Sequence, residues 1–138
     1  YKYNNDMQPC QIGSISEAKI FAALIEAGYL LVFPVGVQRW DLGWENDGRL
    51  TRVQCKTGRV NKGKISFDVA SCGGGGKRKT YHGQVEYFAA YVPELDKVYL
   101  VPIALIGKCE CSLRLEAPKN NQSKKILWAK DFELRPSC

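Results

Sequence analysis

The chain has 138 residues, with 20 Lys and Arg against 14 Asp and Glu and one histidine, which leaves a formal charge of +6 and a pI near 9.0. At 45% hydrophobic and 25% charged residues it belongs with globular rather than disordered chains, and this length predicts one folded unit that buries about two-thirds of its unfolded surface. The single histidine, His82, excludes multi-histidine metal sites and hydrolytic schemes built on paired histidines, while the basic surplus points toward nucleic acid.

Residues 1–12 read as a polar leader without the basic-then-apolar pattern of a signal peptide. Gly13-Ser14-Ile15-Ser16-Glu17 then opens a helix in which Ile20, Phe21, Leu24 and Ala27 recur at helical spacing, and Gly28 stops it. Residues 29–35 predict a buried strand, ended near Pro34 and Gly36; the apolar run to Val37 is far short of the ~20 residues of a membrane span. A hairpin follows, with arms at 40–45 and 49–57 around Asn46-Asp47-Gly48, since Asp-Gly between extended runs is a strong hairpin signal. Residues 64–70 give a further strand, and a loop of four glycines with Lys77, Arg78 and Lys79 comes next. Residues 84–91 read as a short helix halted by Pro93, residues 97–101 as a strand before Pro102, and 112–115 as another. Residues 118–125 make a polar loop, 126–134 are mixed, and 103–138 read as a C-terminal extension of the same domain. This order predicts one α/β domain over 1–138, with a mixed central sheet flanked by helices. Six scattered cysteines, with only Cys109-Glu110-Cys111 close together and no CxxC, predict free thiols in a reducing cytoplasm rather than disulfides or zinc.

The hairpin turn fixes which side chains meet. With the turn centred on Asp47-Gly48, Asn46 faces Arg49, Leu42 faces Val53 and Asp41 faces Gln54. Opposed residues share a face with Cβ atoms roughly 4.5–5.5 Å apart. Gln54 and Lys56 also share a face by alternation, so Asp41, Gln54 and Lys56 form one polar cluster while Val53 and Cys55 point to a core. Glu17 shares the apolar face of the first helix and would look toward the sheet. An alternative stays open: Ser14 and Glu17 fit a capping box, and Asp41 with Lys56 fits a solvent-side ion pair. As a set, two carboxylates and an amide oxygen suit Mg²⁺, and a lysine beside that ion suits an attacking water or a phosphate gaining charge. No histidine is needed.

Gly13-Ser14-Ile15-Ser16-Glu17, Trp40-Asp41-Leu42 and Val53-Gln54-Cys55-Lys56-Thr57-Gly58 resemble the motifs of the PD-(D/E)XK nuclease superfamily. The likeness is to the branch shared by Holliday junction resolvases and group I intron homing endonucleases. Tyr87-Phe88-Ala89, Val98-Tyr99-Leu100-Val101-Pro102, Leu113-Arg114-Leu115 and Asn120-Asn121-Gln122 resemble the intron-associated group as well. The resemblance implies a restriction-endonuclease-like core: one helix, a mixed sheet carrying the catalytic hairpin, and a second helix. It also implies Mg²⁺-dependent hydrolysis of DNA phosphodiesters, with Mn²⁺ as a possible substitute. By position, Asp41 becomes the principal metal ligand with the backbone carbonyl of Cys55 beside it, Lys56 the lysine of the motif, and Glu17 the helix carboxylate. Trp40 stands where the motif has Pro. Gln54 stands where most members carry Asp or Glu, as it does in the intron-associated group.

Arg59, Lys62 and Lys64, directly after the catalytic strand, and Lys77, Arg78 and Lys79 in the glycine-rich loop are the candidate phosphate contacts. Residues 71–77 do not fit a nucleotide-binding loop, because Ser71 stands where Gly is required and Arg78 where Ser or Thr is. Tyr81, His82 and Gln84 either border the site or cap and pack the second helix. Trp40 and Trp44 read as core or interface. The leading expectation is a sequence-specific homing endonuclease acting on double-stranded DNA; a structure-specific nuclease on branched DNA and a catalytically silent DNA-binding module are the alternatives. One cluster serves one scissile phosphate, so cutting both strands predicts a homodimer or homotetramer.

Overall fold

The computed structural model describes residues 6–72, 78–108, 110–117, 120 and 126–136. Helix α1 spans Pro9–Glu26, followed by β1 (Leu31–Val32), β2 (Leu42–Asn46), β3 (Arg49–Thr57), β4 (Arg59–Asn61), β5 (Lys64–Asp68), β6 (Ala70–Cys72), β7 (Arg78–Thr80), β8 (Tyr87–Val92), β9 (Lys97–Pro102) and β10 (Glu110–Arg114). The main sheet has the order β1-β2-β3-β8-β9, a second sheet the order β10-β5-β4, and β6 pairs with β7. Pairing is antiparallel except between β3 and β8, which makes the main sheet mixed. This is the expected α/β architecture.

Helix α1 starts earlier than its apolar spacing suggests, inside the stretch read as a leader. Pro9 occupies the first turn, where its missing N–H costs nothing, and Gln8 with Gln11 closes a capping box. Glu17 therefore lies well inside the helix and the Ser14–Glu17 capping box does not exist; the Ser14 hydroxyl donates instead to the Cys10 carbonyl. The C-terminus is as expected. Gly28 adopts φ +98°, and the N–H groups of Gly28 and Tyr29 donate to the carbonyls of Ile25 and Leu24, satisfying the last turn. The buried stripe is Ser16, Ile20 and Leu24, while Phe21 sits on its flank against Phe33, ring centres 5.3 Å apart.

Two expectations about elements fail. Residues 29–35 do not form a buried strand: only Leu31 and Val32 pair, and Leu30, Phe33, Val35 and Val37 are exposed. Pro34 ends the strand, and with no neighbour beyond β1 among the described residues the apolar letters lie on a sheet edge. The helix expected over 84–91 is strand β8 from Tyr87 onward. Its six apolar residues are shielded on both faces, and such a run is the signature of a central strand beside a parallel neighbour. Among the described residues α1 is the only α-helix.

The layers follow. On one face of the main sheet, Ile20 and Leu24 pack on Leu42, Trp44, Val53, Cys55, Ala89, Tyr91 and Val98. On the other, the β10-β5-β4 sheet covers Phe88, Ala90, Val92 and Val101 with Ile65, Phe67 and Leu113, and the second helix implied by the resemblance is not found among the described residues. Trp44 lies in the first core and Trp40 packs against the second. Gly58 joins β3 to the covering sheet, where an added Cβ would lie 3.0 Å from Val92 Cγ2 and 3.2 Å from Ile65 Cγ2.

Candidate active site

Asp47 and Gly48 adopt φ of +51° and +77°, a turn whose twist suits a two-residue hairpin. The register it imposes is the one expected: Asn46 opposite Arg49, Leu42 opposite Val53. Pairing stops there: Asp41 falls one residue before β2 begins, and the expected pairing of Asp41 with Gln54 does not form. Its N–H donates to the Val53 carbonyl at 2.8 Å. Its Oδ2 accepts the Cys55 N–H at 2.8 Å, so a side chain takes over where the ladder ends. Because N–H and C=O of a strand residue point the same way, the Cys55 carbonyl opens onto the same edge as the Asp41 carboxylate.

Helix α1 brings the second carboxylate. The Ser16 and Thr57 hydroxyls meet at 2.6 Å, with Ser16 almost fully buried, which docks the middle of the helix on the last residue of β3. Glu17 follows. As a residue it remains solvent-exposed, yet partial burial of its carboxyl, and then the charge of Asp41, raise its pKa. Burial also raises Asp41, against the lowering effects of the Cys55 N–H and the Lys56 ammonium. The Cys55 thiol is driven far up, by burial first and then by Asp41 and Glu17. Asp41 thus acts on Glu17, and Lys56 on Asp41, beside the Cys55 backbone. Gln54 shares the Lys56 face by alternation but makes no hydrogen bond to either carboxylate.

Aromatic surroundings complete the site. Tyr81 is buried, meets Phe88 edge-on at 5.4 Å, and lies under Lys56, whose Nζ is 5.2 Å from the ring centre. The Arg39 guanidinium carbon lies 4.0 Å from the same centre. Tyr81 was placed beside a second helix by the sequence; it stands instead in the turn leading to β8. Arg39 has no sequence signal beyond its place two residues before Asp41. His82 and Gln84 are exposed in that turn.

Of the candidate phosphate contacts, Arg59 is exposed on β4 with Glu94 at 3.9 Å. Lys62 is exposed in the β4–β5 turn at φ +50°, Lys64 is half-buried on β5, and Lys79 is exposed on β7. Arg78 opens β7. Lys77 and the four glycines of the basic loop lie outside the described residues, as do Cys109, Asn121 and Gln122. Among the described residues no helix is long and apolar enough to cross a membrane, and no group of three or more His, Cys, Asp or Glu converges. Any metal here would therefore rely on two carboxylates supplemented by a carbonyl or amide oxygen.

Among solved structures, the chain is similar to one described as a bacterial homing endonuclease, I-Ssp6803I. Identity is 20% over 92% of this chain and 89% of that one, with a TM-score of 0.70, which establishes a shared fold. No curated protein sequence matches. A family model described as PD-(D/E)XK endonuclease matches residues 7–135, and that span takes in α1 with Glu17, the hairpin with Asp41, and β3 with Lys56. With the motif residues brought to one strand end and the match running through every element of the fold, the chain belongs to the PD-(D/E)XK endonuclease family.

Proposed function

We propose that this chain is a metal-dependent DNA endonuclease of the homing type, hydrolysing phosphodiesters at a site formed by Glu17, Asp41, Gln54 and Lys56. The observation that carries the reading is the gathering of charge at the Cys55 backbone: Asp41 Oδ2 accepts the Cys55 N–H at 2.8 Å, the Asp41 charge raises the pKa of Glu17, and Lys56 acts on Asp41. Two partly buried acids, both with raised pKa and one of them raised in part by the charge of the other, form a site that a hard dication would stabilise. The donor set fits Mg²⁺, with Mn²⁺ as a substitute: Asp41, Glu17 and the Cys55 carbonyl are oxygen donors, and the Gln54 amide oxygen is a fourth candidate. When bound, such an ion lowers the pKa of a coordinated water and offsets charge on a phosphoryl oxygen. Lys56 donates to that water or to a phosphate oxygen, and the aromatic wall of Tyr81 and Phe88 keeps bulk water from its inner side. Lys62, Lys79 and Arg59, with Lys64, Lys77 and Arg78, hold the DNA backbone through charge alone.

The homing type is favoured by the likeness in fold to a homing endonuclease over nearly the whole of both chains. Assembly into a homodimer or homotetramer is favoured by the single site per chain and by the sheet edge. The outer side of β9 is covered by residues 132–134, but no described residue pairs with the outer side of β1, which adjoins exposed Val32, Phe33, Val35 and Val37. The test is cleavage of long duplex DNA and of a synthetic four-way junction, with Mg²⁺ and with EDTA. A homing endonuclease yields a few discrete duplex cuts only with the ion. Selective resolution of the junction would make the chain a resolvase, and binding without cleavage of either would make it a silent DNA-binding module.

A further inference from the structure

One aromatic ring gathers two cations at the proposed site. Lys56 Nζ lies 5.2 Å and the Arg39 guanidinium 4.0 Å from the centre of the Tyr81 ring. That ring packs edge-on against Phe88 on β8, the strand paired with β3. Like charges drawn to one ring repel, and an anion reaching both removes the repulsion. Arg39 is also under-used by the protein. Among the described residues its one hydrogen bond is a long one, 3.4 Å to the Thr80 carbonyl, and no carboxylate pairs with it. By contrast, Arg52 is paired with Glu86 and Arg59 with Glu94. A guanidinium laid on an aromatic face keeps its planar fork pre-oriented, and that fork matches two phosphate oxygens at once.

We propose that Arg39 is a phosphate clamp of the cleavage site: stacked on Tyr81, it binds the non-bridging oxygens of the scissile phosphate beside Lys56. The inference rests on the nuclease reading above. Hydrolysis adds one water: its oxygen bonds to phosphorus, and the bond from phosphorus to one bridging oxygen breaks. One water proton ends on the departing oxygen and the other stays on the new monoester until it ionises. Negative charge grows on the non-bridging oxygens as this happens, and Arg39 meets it there.

The experiment compares Arg39→Ala, Arg39→Lys and Tyr81→Leu with wild type in single-turnover plasmid cleavage with Mg²⁺. DNA affinity is measured with Ca²⁺ in its place, and thermal stability alongside. Arg39→Ala should slow cleavage on the order of 10²-fold or more while affinity and Tm change little. Guanidinium ions at non-denaturing concentration should restore part of that rate, and should not restore Lys56→Ala. Arg39→Lys should recover only a fraction, because an ammonium cannot bridge two oxygens. Tyr81→Leu should act in the same direction and add little on top of Arg39→Ala. Full-rate cleavage by Arg39→Ala in an active wild-type background would overturn this inference alone. So would a loss matched by an equal loss of DNA affinity or of Tm. An inactive wild type would overturn the nuclease reading, and the role of Arg39 with it.

Discussion

Asp41 has two jobs that substitution can separate, because its Oδ2 both closes the β2–β3 ladder and, in the proposed function, ligates metal. Asp41→Ala removes the acceptor 2.8 Å from the Cys55 N–H and leaves a donor in a buried residue unpaired, a loss of about 1–3 kcal/mol. Asp41→Asn keeps an oxygen acceptor in that place and removes only the charge. Burial is the main reason the Asp41 pKa is raised. A carboxyl raised on folding contributes its stability below the unfolded pKa and loses it as pH rises through the folded value. At neutral pH and without metal the ionised carboxylate is therefore a liability, and Asp41→Asn should match or exceed wild type in Tm, the more so as pH rises from acid to neutral. Asp41→Ala should melt below Asp41→Asn, at about 3–5 °C per kcal/mol for a chain of this size. Mg²⁺ at a hundredfold excess over its dissociation constant should add about 2.7 kcal/mol to wild type and almost nothing to either variant. Cleavage should fall on the order of 10³-fold or more in both. Thermal melts across pH, with and without Mg²⁺, read all of this. Equal destabilisation by Asn and Ala, or a Mg²⁺ shift in Asp41→Asn as large as in wild type, would refute the reasoning.

Glu17→Gln should lower cleavage strongly with little change in Tm, since α1 is capped by Gln8 and Gln11 rather than by Glu17; a stability loss without an activity loss would remove Glu17 from the site. Gln54→Glu adds the charge most of the superfamily carries and should keep activity with a lower Mg²⁺ requirement in titrated cleavage; complete loss would mean a neutral ligand is required there. Ser16→Ala strips the 2.6 Å bond to Thr57, should cost about 1 kcal/mol in denaturant melts, and should slow cleavage by loosening Glu17, an effect absent if that bond only holds the helix. Val35→Asp with Phe33→Asp, both at exposed positions, should shift sedimentation toward monomer and turn double-strand cuts into nicks; an unchanged assembly would place the interface elsewhere.

What could be read from sequence was local or set by a turn. Asp47-Gly48 dictates the register of the hairpin, and Gly28 the end of α1, because each needs positive φ that few other residues adopt. That register carries Asp41 to the start of β2 beside β3, but its expected pairing with Gln54 is replaced by hydrogen bonds to Val53 and Cys55. The start of α1 was missed because Gln8 is a weak capping letter, although Pro9 marks a first turn. Strand β8 was misread because six consecutive apolar residues carry no period to separate strand from helix, and only the parallel partner β3 decides. Residues 29–37 show the reverse error: apolar letters placed on an edge rather than in a core. The Arg39–Tyr81 stack was illegible because it depends on tertiary placement of the turn before β8, which spacing in the chain does not encode.

The most direct test of the central claim is anomalous diffraction from crystals of the protein grown with Mn²⁺. The account predicts a peak within metal-ligand distance of an Asp41 carboxylate oxygen and the Cys55 carbonyl, with Glu17 or Gln54 among the remaining ligands and Lys56 beside it. Crystals saturated with Mn²⁺ that show no peak there, or a peak on other carboxylates alone, would contradict it.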